Sequence, residues 1–330
     1  VMKRVTIYDV ANEANVSLAT VSRVINGLEI VREDTRNRVN QAIDKLGYKP
    51  NAIAQGLALQ KTTSIALLIP EASFSYTGQI INGLLDVAKI YKYNITLHTT
   101  SEAIMQIGDI IENIIKSRVD GVIIYNDKLM VDELTALTKY QFPIVLVGNQ
   151  MSSENIASVY VNLQKAMYEL VSSYLEQGKT DIAIVQDRKN KYMVEQLILG
   201  ASQAFEKKGL VFKNFIEIPR EYRSSYAYLK EYLRTNKHEL IIAHRDSQAM
   251  AVINAAAENN IRIPQDMEVV CVIDTKYNSM VRPQISSFAI PAYDLGAVAM
   301  RVMTKMLNQN PVDEREIELS YLFTPRQSTK

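Results

Sequence analysis

The sequence predicts an α/β protein with a two-lobed core of parallel sheets flanked by helices and a small all-α head before it. Two observations predict the core. From Ser64 onward short apolar runs alternate with amphipathic stretches, and the second half repeats the strand–helix–strand order of the first. A third observation predicts the head, because Val1–Tyr48 contains only short helical patterns and tight turns. A chain of 330 residues is long enough for two or three such domains.

Seven short apolar runs between Ser64 and Ile273 predict the strands of the core. They are Ser64–Pro70, Ile95–Thr99, Gly121–Tyr125, Ile144–Val147, Asp181–Val185, Leu240–Ala243 and Val269–Ile273. The stretches between them predict helices at Gly78–Tyr91, Ala103–Ser117, Leu163–Gln177, Val194–Lys208 and Ser247–Asn259. Strands that alternate with helices of this length form parallel sheets that are covered on both faces. Two such lobes leave a cleft between them, where α/β proteins bind ligands.

Charge is distributed unevenly along the chain, although the net charge is only +1. Residues 1–61 contain nine Lys and Arg against six Asp and Glu, so the head is mildly basic and the rest is mildly acidic. This distribution is compatible with a small DNA-binding head on a neutral body.

The single cysteine and the hydropathy pattern indicate a cytoplasmic protein. Cys271 lies in the apolar run Met267–Ile273, which predicts a buried strand residue, and one cysteine cannot form a disulfide within the chain. The first ten residues, VMKRVTIYDV, contain no apolar signal region, and no apolar run approaches the roughly 18 residues that span a membrane. We therefore expect a cytoplasmic protein that does not insert into membranes.

Three short helices are predicted in the head. Thr6 caps a first helix, Ile7–Ala14, and Asn15-Val16 forms a tight turn. Ser17 caps a second helix, Leu18–Asn26, and Thr35 caps a third, Arg36–Leu46.

The second helix presents a small, polar outer face that carries one arginine. Its inward positions are Val21, Val24 and Ile25, which leaves Leu18, Ala19, Thr20, Ser22, Arg23 and Asn26 on the other side. Such a face fits a DNA major groove, where an arginine binds guanine O6 and N7 and hydroxyl groups bind phosphates. Periodicity alone leaves an alternative open, because any small three-helix bundle has capped helices with exposed polar faces.

The head resembles that of the lac-repressor family of transcriptional regulators. The resemblance is carried by Thr6–Gly27 (TIYDVANEANVSLATVSRVING), followed by VREDTRNRV, LGYKPNAIAQGLA and KTTSIALLIP. It implies a helix-turn-helix DNA-binding head in residues 1–50 and a hinge helix and linker in residues 51–61. It also implies a homodimer that places two recognition helices in successive major grooves of a pseudo-palindromic operator.

The hinge helix implied by the resemblance covers about Asn51–Ala58 and folds on DNA. Leu57 would enter the minor groove, where an exposed apolar side chain can unstack a base step and kink the duplex. The hinge reads Ala54-Gln55-Gly56-Leu57 where the family usually has Ala-Arg-x-Leu, so it lacks a phosphate-binding arginine. The candidate DNA-binding residues are therefore Thr6, Ser17, Leu18, Ala19, Thr20, Ser22, Arg23, Asn26, Asn51, Gln55 and Leu57.

Beyond the head, the chain resembles the members of the family that control carbon catabolism. The strongest matches are Ala88–Ile95 (AKIYKYNI), Met280–Gln284 (MVRPQ) and Tyr293–Lys305 (YDLGAVAMRVMTK). The resemblance implies a periplasmic-binding-protein-like core, with one lobe in residues 62–161 plus 291–324 and the other in residues 162–290. It further implies regulation, mostly repression, of carbon-utilisation genes. Its corepressor would be the phosphocarrier protein HPr, phosphorylated on a serine, and no cofactor is implied.

A helix predicted over Tyr293–Met306 is the candidate corepressor site. Arg301 and Lys305 are four residues apart and share a face, where two cations beside an apolar strip can bind a phosphoserine. The candidate corepressor residues are Tyr293, Asp294, Ala297, Val298, Met300, Arg301 and Lys305. The alternative interpretation is an ordinary solvated helix face.

The cleft departs from the family at positions that bind sugar effectors. Members with small effectors usually have an arginine where this chain has Leu197, and an aspartate where it has Ile273. Asp274 is one place further on, a third acidic position is retained as Asp246, and Phe74 completes the candidate cleft residues. Leu197 and Ile273 cannot hydrogen-bond a hydroxyl group, which argues against a sugar ligand. A local shift of the alignment, which would return Asp274 to the cleft, is the alternative.

Other functional classes have little support in the sequence. No phosphate-binding glycine motif or nucleophile elbow is present, and His98, His238 and His244 show no metal-binding spacing. A periplasmic sugar-binding protein would share the core but lack the head. We therefore expect a DNA-binding regulator rather than an enzyme, with a regulator of the same family controlled by an unidentified small ligand as the alternative.

Overall fold

The computed structural model divides into two compact units, Val1–Thr63 and Ser64–Lys330. It describes residues 5–28, 30–49, 62–70, 75–100, 107–126, 129–186, 192–219 and 221–330. Elements are numbered in chain order over these residues.

In its described residues, the first unit has three helices around a small apolar core. They are α1 (Ile7–Ala14), α2 (Leu18–Ile25) and α3 (Glu33–Leu46). Their buried side chains are Val10, Ala11, Ala14, Val21, Val24, Val39 and Ala42. The predictions for α1 and α2 are confirmed to within one residue.

The third helix begins earlier than the sequence predicts. It starts at Glu33 after Arg32, which makes no side-chain capping bond, so the predicted Thr35 cap is wrong. Glu33 and Asp34 occupy the first turn, where negative charge is stabilised by the positive end of the helix dipole. This favourable charge arrangement extends the helix beyond the hydroxyl residue that resembled a cap.

The described residues of the second unit form two six-stranded sheets, each with helices on both faces. The strand orders are β11-β5-β4-β3-β1-β2 in the first lobe and β12-β10-β9-β8-β6-β7 in the second lobe. All pairs are parallel except β10 with β12. The strands are β1 (Ser64–Ile69), β2 (Asn94–Thr99), β3 (Gly121–Tyr125), β4 (Ile144–Val147), β5 (Ile156–Tyr160), β6 (Ile182–Gln186), β7 (Phe215–Glu217), β8 (Leu240–Ala243), β9 (Glu268–Cys271), β10 (Ser286–Ala289), β11 (Glu316–Glu318) and β12 (Leu322–Thr324).

The helices of the second unit cover these sheets. They are α4 (Ser75–Ile90), α5 (Ile107–Lys116), α6 (Val131–Ala136), α7 (Leu163–Glu176), α8 (Tyr192–Lys207), α9 (Tyr222–Tyr232), α10 (Asp246–Glu258), α11 (Lys276–Met280) and α12 (Ala292–Leu307). A short 3-10 turn, Leu137–Lys139, follows α6.

Each sheet separates two apolar cores because successive strand residues point to opposite faces. In β1, for example, Ile65, Leu67 and Ile69 pack with α4 and α12, whereas Ala66 and Leu68 pack with α5. All of these side chains are fully buried, as is expected where helices cover both faces.

The predicted two-lobed α/β architecture is confirmed, with one difference where the chain passes between the two sheets for the last time. Within the described residues the chain passes between the sheets three times: between β5 and β6, between β10 and β11, and between β11 and β12. The predicted first lobe, residues 62–161 plus 291–324, assigns β12 to the wrong sheet. Phe288 of β10 pairs with Phe323 of β12, so β12 belongs to the second lobe.

Candidate functional site

The candidate recognition helix α2 is positioned by side-chain caps on α1 and on itself. The Thr6 backbone N–H donates to Asp9 Oδ2 (2.7 Å) and the Asp9 N–H donates to Thr6 Oγ1 (3.4 Å), which closes a capping box on α1. The backbone N–H of Thr20 donates to Ser17 Oγ (3.2 Å) at the start of α2. Asn15, in the left-handed conformation (φ 50°), ends α1 and starts the turn between the two helices. These bonds fix the two helices at either side of a tight turn.

The predicted DNA-reading side chains lie on one open face of α2. Val21 and Val24 are buried against α1 and α3, while Leu18 keeps 36% of its surface exposed. Ser17, Ala19, Arg23 and Asn26 are also exposed, and Thr20 and Ser22 are half-buried. The side chain of Arg23 makes no hydrogen bond or ion pair with any other residue that the structure describes. Its guanidinium group is therefore available to an external acceptor.

Two features of the head qualify the sequence-based list. The Thr6 hydroxyl already donates its hydrogen to Asp9 Oδ2 (2.7 Å), so only the exposed part of its oxygen is left for a contact with DNA. Tyr8, which sequence reasoning did not select, is 63% exposed on α1 and carries a hydroxyl group that could reach a phosphate. The predicted hinge residues Asn51, Gln55 and Leu57 lie outside the described residues.

The second candidate site, on α12, has a polar outer face and an apolar inner face. Asp294, Arg301 and Lys305 are exposed, Tyr293 is 44% exposed and Val298 is half-buried. Ala297 and Met300 are 5% and 0% exposed, so the prediction that they form an accessible apolar strip is wrong.

The crossing of α4 over α12 explains why Ala297 and Met300 are buried. Gly83 and Gly296 have no side chains at the crossing, and the two backbones therefore come into direct contact. A Cβ atom at Gly83 would lie 3.1 Å from the Ala297 backbone nitrogen, which shows how closely α4 covers this position. Met300 then packs in the core shared by α4, α12 and the first sheet.

A groove beside α12 supplies the exposed apolar surface that Ala297 and Met300 do not. It has a volume of about 610 Å³ and is lined by Asn82, Leu85, Asp86, Ala88, Lys89, Tyr93, Asn94, Ile95 and Tyr293. The Tyr293 hydroxyl donates to Asp86 Oδ2 (2.9 Å), and this bond raises the pKa of Tyr293 above its ordinary value. Sequence reasoning missed the groove because its two walls are about 200 residues apart in the chain.

The candidate cleft residues are occupied by contacts within the protein. Leu197 is 1% exposed in the core of the second lobe, and Ile273 is 6% exposed in the core of the first lobe. Asp246 Oδ2 accepts a hydrogen bond from the Thr275 hydroxyl (2.7 Å), and its Oδ1 accepts one from the Ser247 N–H (2.6 Å). Phe74 lies outside the described residues.

Asp274 is engaged by an arginine that sequence reasoning did not select. The Arg326 Nη2 group donates to Asp274 Oδ2 (2.9 Å), and its Nη1 group donates to the Ser287 hydroxyl (2.6 Å) and the Ile285 carbonyl (2.7 Å). Arg326 therefore ties the end of β9 to β10 and to the last segment of the chain. No local pattern in the sequence indicates a partner 52 residues away.

Comparison with known proteins identifies the family. Residues 6–51 match the family model described as bacterial regulatory proteins, lacI family, and residues 171–329 match a periplasmic binding protein-like domain. Catabolite control protein A of Priestia megaterium is 35% identical over 330 residues, which cover 99% of each chain. The chain belongs to the lac-repressor family.

Further similar proteins agree with this assignment in sequence or in fold. The HTH-type transcriptional regulator pepR1 of Lactobacillus delbrueckii subsp. lactis is 34% identical, with 98% of each chain covered. The lac repressor dimer bound to its operator has a TM-score of 0.86 at 21% identity, with 99% of each chain covered, and supports the fold. The transcription regulator CcpA of Lactococcus lactis has a TM-score of 0.71 at 24% identity, with 81% of this chain and 99% of that chain covered.

Membership of the lac-repressor family confirms a DNA-binding transcriptional regulator rather than an enzyme. The full-length relatives are named as a catabolite control protein and an HTH-type transcriptional regulator, and the family model that matches the head describes bacterial regulatory proteins. Within the described part of the chain, no three His, Cys, Asp or Glu side chains are placed to hold a metal ion. None of the described helices is long and apolar enough to cross a membrane.

Proposed function

We propose that this chain regulates, mostly by repression, genes of carbon utilisation. In this proposal a cytoplasmic homodimer binds a pseudo-palindromic operator and uses serine-phosphorylated HPr as its corepressor. The observation that carries the proposal is the full-length similarity to catabolite control protein A, together with the exposed cations of α12.

DNA recognition would be performed by the open face of α2. A bidentate bond from Arg23 to guanine and apolar contacts from Leu18 and Ala19 to a thymine methyl group would read base edges in the major groove. Ser17 and Thr20 stand at the N-terminal end of α2, where hydroxyl groups and backbone N–H groups commonly bind phosphates. Asn51, Gln55 and Leu57 would contribute at the centre of the operator.

Corepressor recognition would combine a charged part and an apolar part. Arg301 and Lys305 are four residues apart on the exposed face of α12, and they would form charge-assisted hydrogen bonds with a phosphoserine. The apolar contact would come from Val298, Tyr293 and the adjacent groove, where Leu85 is 44% exposed. Ala297 and Met300 would support this surface from beneath without touching the partner.

The alternative, a regulator of the same family controlled by a small ligand, is less well supported by the cleft. Leu197 and Ile273 are apolar, and Asp246 and Asp274 already accept hydrogen bonds from protein groups. A polyol in this position would leave several of its hydroxyl groups unpaired, at a cost of roughly 1–3 kcal/mol for each.

Operator binding in the presence and absence of the corepressor tests the proposal. The full-length protein is titrated into a pseudo-palindromic carbon-control site and into a scrambled duplex, with HPr, with serine-phosphorylated HPr, or alone. We expect tighter binding to the specific site, with a further increase only for phosphorylated HPr. Equal affinity for both duplexes would contradict the proposed operator-specific regulation. Specific binding that phosphorylated HPr does not strengthen would contradict only the proposed corepressor.

A further inference from the structure

Tyr192 connects the two lobes with two hydrogen bonds. It is the first residue of α8 in the second lobe, and its backbone N–H donates to the carbonyl oxygen of Leu129 in the first lobe (3.0 Å). Its hydroxyl group donates to the carbonyl oxygen of Gln150, also in the first lobe (3.4 Å). Leu129 lies beyond the end of β3 and Gln150 beyond the end of β4. The two bonds therefore hold two separate segments of the first lobe.

The ring of Tyr192 packs into both lobes. It contacts the core around α5 and β4 in the first lobe, and the core around α7 and α8 in the second lobe. The void beside it, between Gly148, Gln150 and Met193, has a volume of only about 10 Å³, which is about enough for one water molecule. Burial raises the pKa of Tyr192, so its hydroxyl stays protonated and remains a hydrogen-bond donor.

Ile273 makes a second contact between the lobes. It follows β9 of the second lobe, yet its side chain belongs to the apolar core of the first lobe, where it is 6% exposed. An aspartate here would place a carboxylate in that apolar core, whereas isoleucine contributes to it. The lobes are thus joined beside β6 through Tyr192 and beside β9 through Ile273.

Contacts at two separated points restrict the rotation of one lobe against the other more than a single contact does. In hinged two-lobed proteins a bound ligand commonly supplies the contacts that hold the closed arrangement. Here those contacts come from the protein itself. Asp246 and Asp274 Oδ2 also accept hydrogen bonds from protein groups, while the buried Oδ1 of Asp274 has no partner among the described residues.

We propose that Tyr192 and Ile273 form a built-in latch that holds the two lobes in one relative arrangement without a small effector. The latch replaces ligand contacts with an aromatic residue that bridges the lobes and an aliphatic residue inserted into the facing core. Its existence does not depend on which operator or corepressor the protein uses.

Distance measurements between the lobes of the full-length protein test the latch. Spin labels are attached at Glu154→Cys in the first lobe and Lys208→Cys in the second, both at exposed positions. Cys271 is fully buried and is not expected to react. The parent protein should give one narrow distance distribution, which free hexoses leave unchanged. Tyr192→Ala should broaden it or shift it to longer distances, and Tyr192→Phe, which keeps the ring, should have a smaller effect.

A matched control and the operator assay separate the possible outcomes. Tyr228→Ala removes a tyrosine of the same lobe that is 43% exposed, and it should leave the distribution narrow. Ile273→Asp should broaden the distribution, as Tyr192→Ala does. If Tyr192→Ala and Ile273→Asp, verified as folded by circular dichroism, both keep the parental distribution, the latch is refuted. Specific operator binding by those same variants would show that the proposed function stands without it.

Discussion

Gly83 of α4 lies directly against the backbone carbonyl of Tyr293 at the start of α12. A Cβ atom built at Gly83 would be less than 3.0 Å from that carbonyl oxygen, and the neighbouring Gly296 meets the carbonyl of Ile80 in the same way. The obstructing atoms are backbone atoms, which cannot rotate away as a side chain does. The helix that carries the candidate corepressor residues is therefore fixed to α4 through a pair of glycines.

Replacing Gly83 with alanine is expected to separate the two helices and to destabilise the core unit. Overpacking of a close contact usually costs about 1–3 kcal/mol. Gly78→Ala on the same helix is the matched control, because a Cβ there meets nothing within 4 Å. Alanine also has the higher helix propensity, by up to about 1 kcal/mol, so the control should be neutral or stabilising. Urea unfolding of both variants measures the difference, and equal stabilities would contradict the close crossing.

The α12 helix also shows where sequence reasoning succeeds and where it stops. Its extent and the exposure of Arg301 and Lys305 follow from charge placement in an apolar helix. The burial of Ala297 and Met300 does not, because the helix is apolar around most of its circumference and only α4 decides which side is covered. The Asp274–Arg326 pair is unpredictable for a similar reason, since it forms only when β10 and the last segment of the chain meet.

The short elements were harder to predict than the long ones. Runs such as Ile144–Val147 are continuously apolar and mostly β-branched, so their strands are evident from the sequence. The strands β7, β11 and β12 have three residues each and lie at sheet edges, where local preference is weak and pairing decides. The β10 strand contains two buried serines, whose hydroxyl groups are satisfied by Arg326.

Substitution of Arg23 is expected to relax the choice of DNA base rather than to weaken all binding equally. The Arg23→Ala variant should lose about 1–3 kcal/mol at the base pair that it reads and much less on random DNA. Arg38→Ala is a suitable control, because it removes an exposed arginine of the same head from α3. Titrations of a duplex series with single base-pair changes measure the effect. An unchanged ratio of specific to random binding for Arg23→Ala would refute base reading by this residue.

Loss of Arg301 or Lys305 is expected to abolish the advantage of phosphorylated over unphosphorylated HPr. A charge-assisted hydrogen bond contributes about 1.5–3 kcal/mol, so Arg301→Ala should weaken binding of phosphorylated HPr roughly 10- to 100-fold. The Lys139→Ala variant removes an exposed cation elsewhere on the same lobe and should bind as the parent does. Calorimetry with both forms of HPr provides the comparison. Parental affinity in Arg301→Ala would exclude this residue from the phosphate site.

The thiol of Cys271 is expected to be unreactive in the folded protein. Burial raises its pKa well above the ordinary value, and the thiol donates to the carbonyl oxygen of Ile273 (3.1 Å). Because the folded-state pKa is raised, this group contributes stability that is present below its unfolded pKa of about 8.5 and declines as the pH rises above it. A thiol reagent at pH 8 should label the protein in urea but not in buffer. The decline in unfolding free energy between about pH 8 and 9.5 should be smaller in Cys271→Ala, and rapid labelling of the native protein would contradict the burial.

Free sugars are expected to have no influence on operator binding. Of the cleft positions that the sequence singles out and the structure describes, Leu197 and Ile273 are apolar, and Asp246 and Asp274 accept hydrogen bonds from Thr275 and Arg326. A ligand shifts an equilibrium between two conformations only through a difference in affinity for them, and a cleft that cannot pair several hydroxyl groups offers no such difference.

Calorimetry with hexoses, pentoses and their phosphates should show no binding tighter than about millimolar, the range in which RT ln Kd is near −4 kcal/mol. A sugar that binds in the micromolar range and also changes operator affinity would overturn this expectation. Such a sugar would displace a protein partner of Asp246 or of Asp274 Oδ2, or it would bind the unpaired Oδ1 of Asp274. The Arg326→Leu variant distinguishes these two acids: it releases Asp274 but leaves Asp246 bound to Thr275, so a sugar response confined to that variant would identify Asp274 as the residue that Arg326 withholds from the cleft.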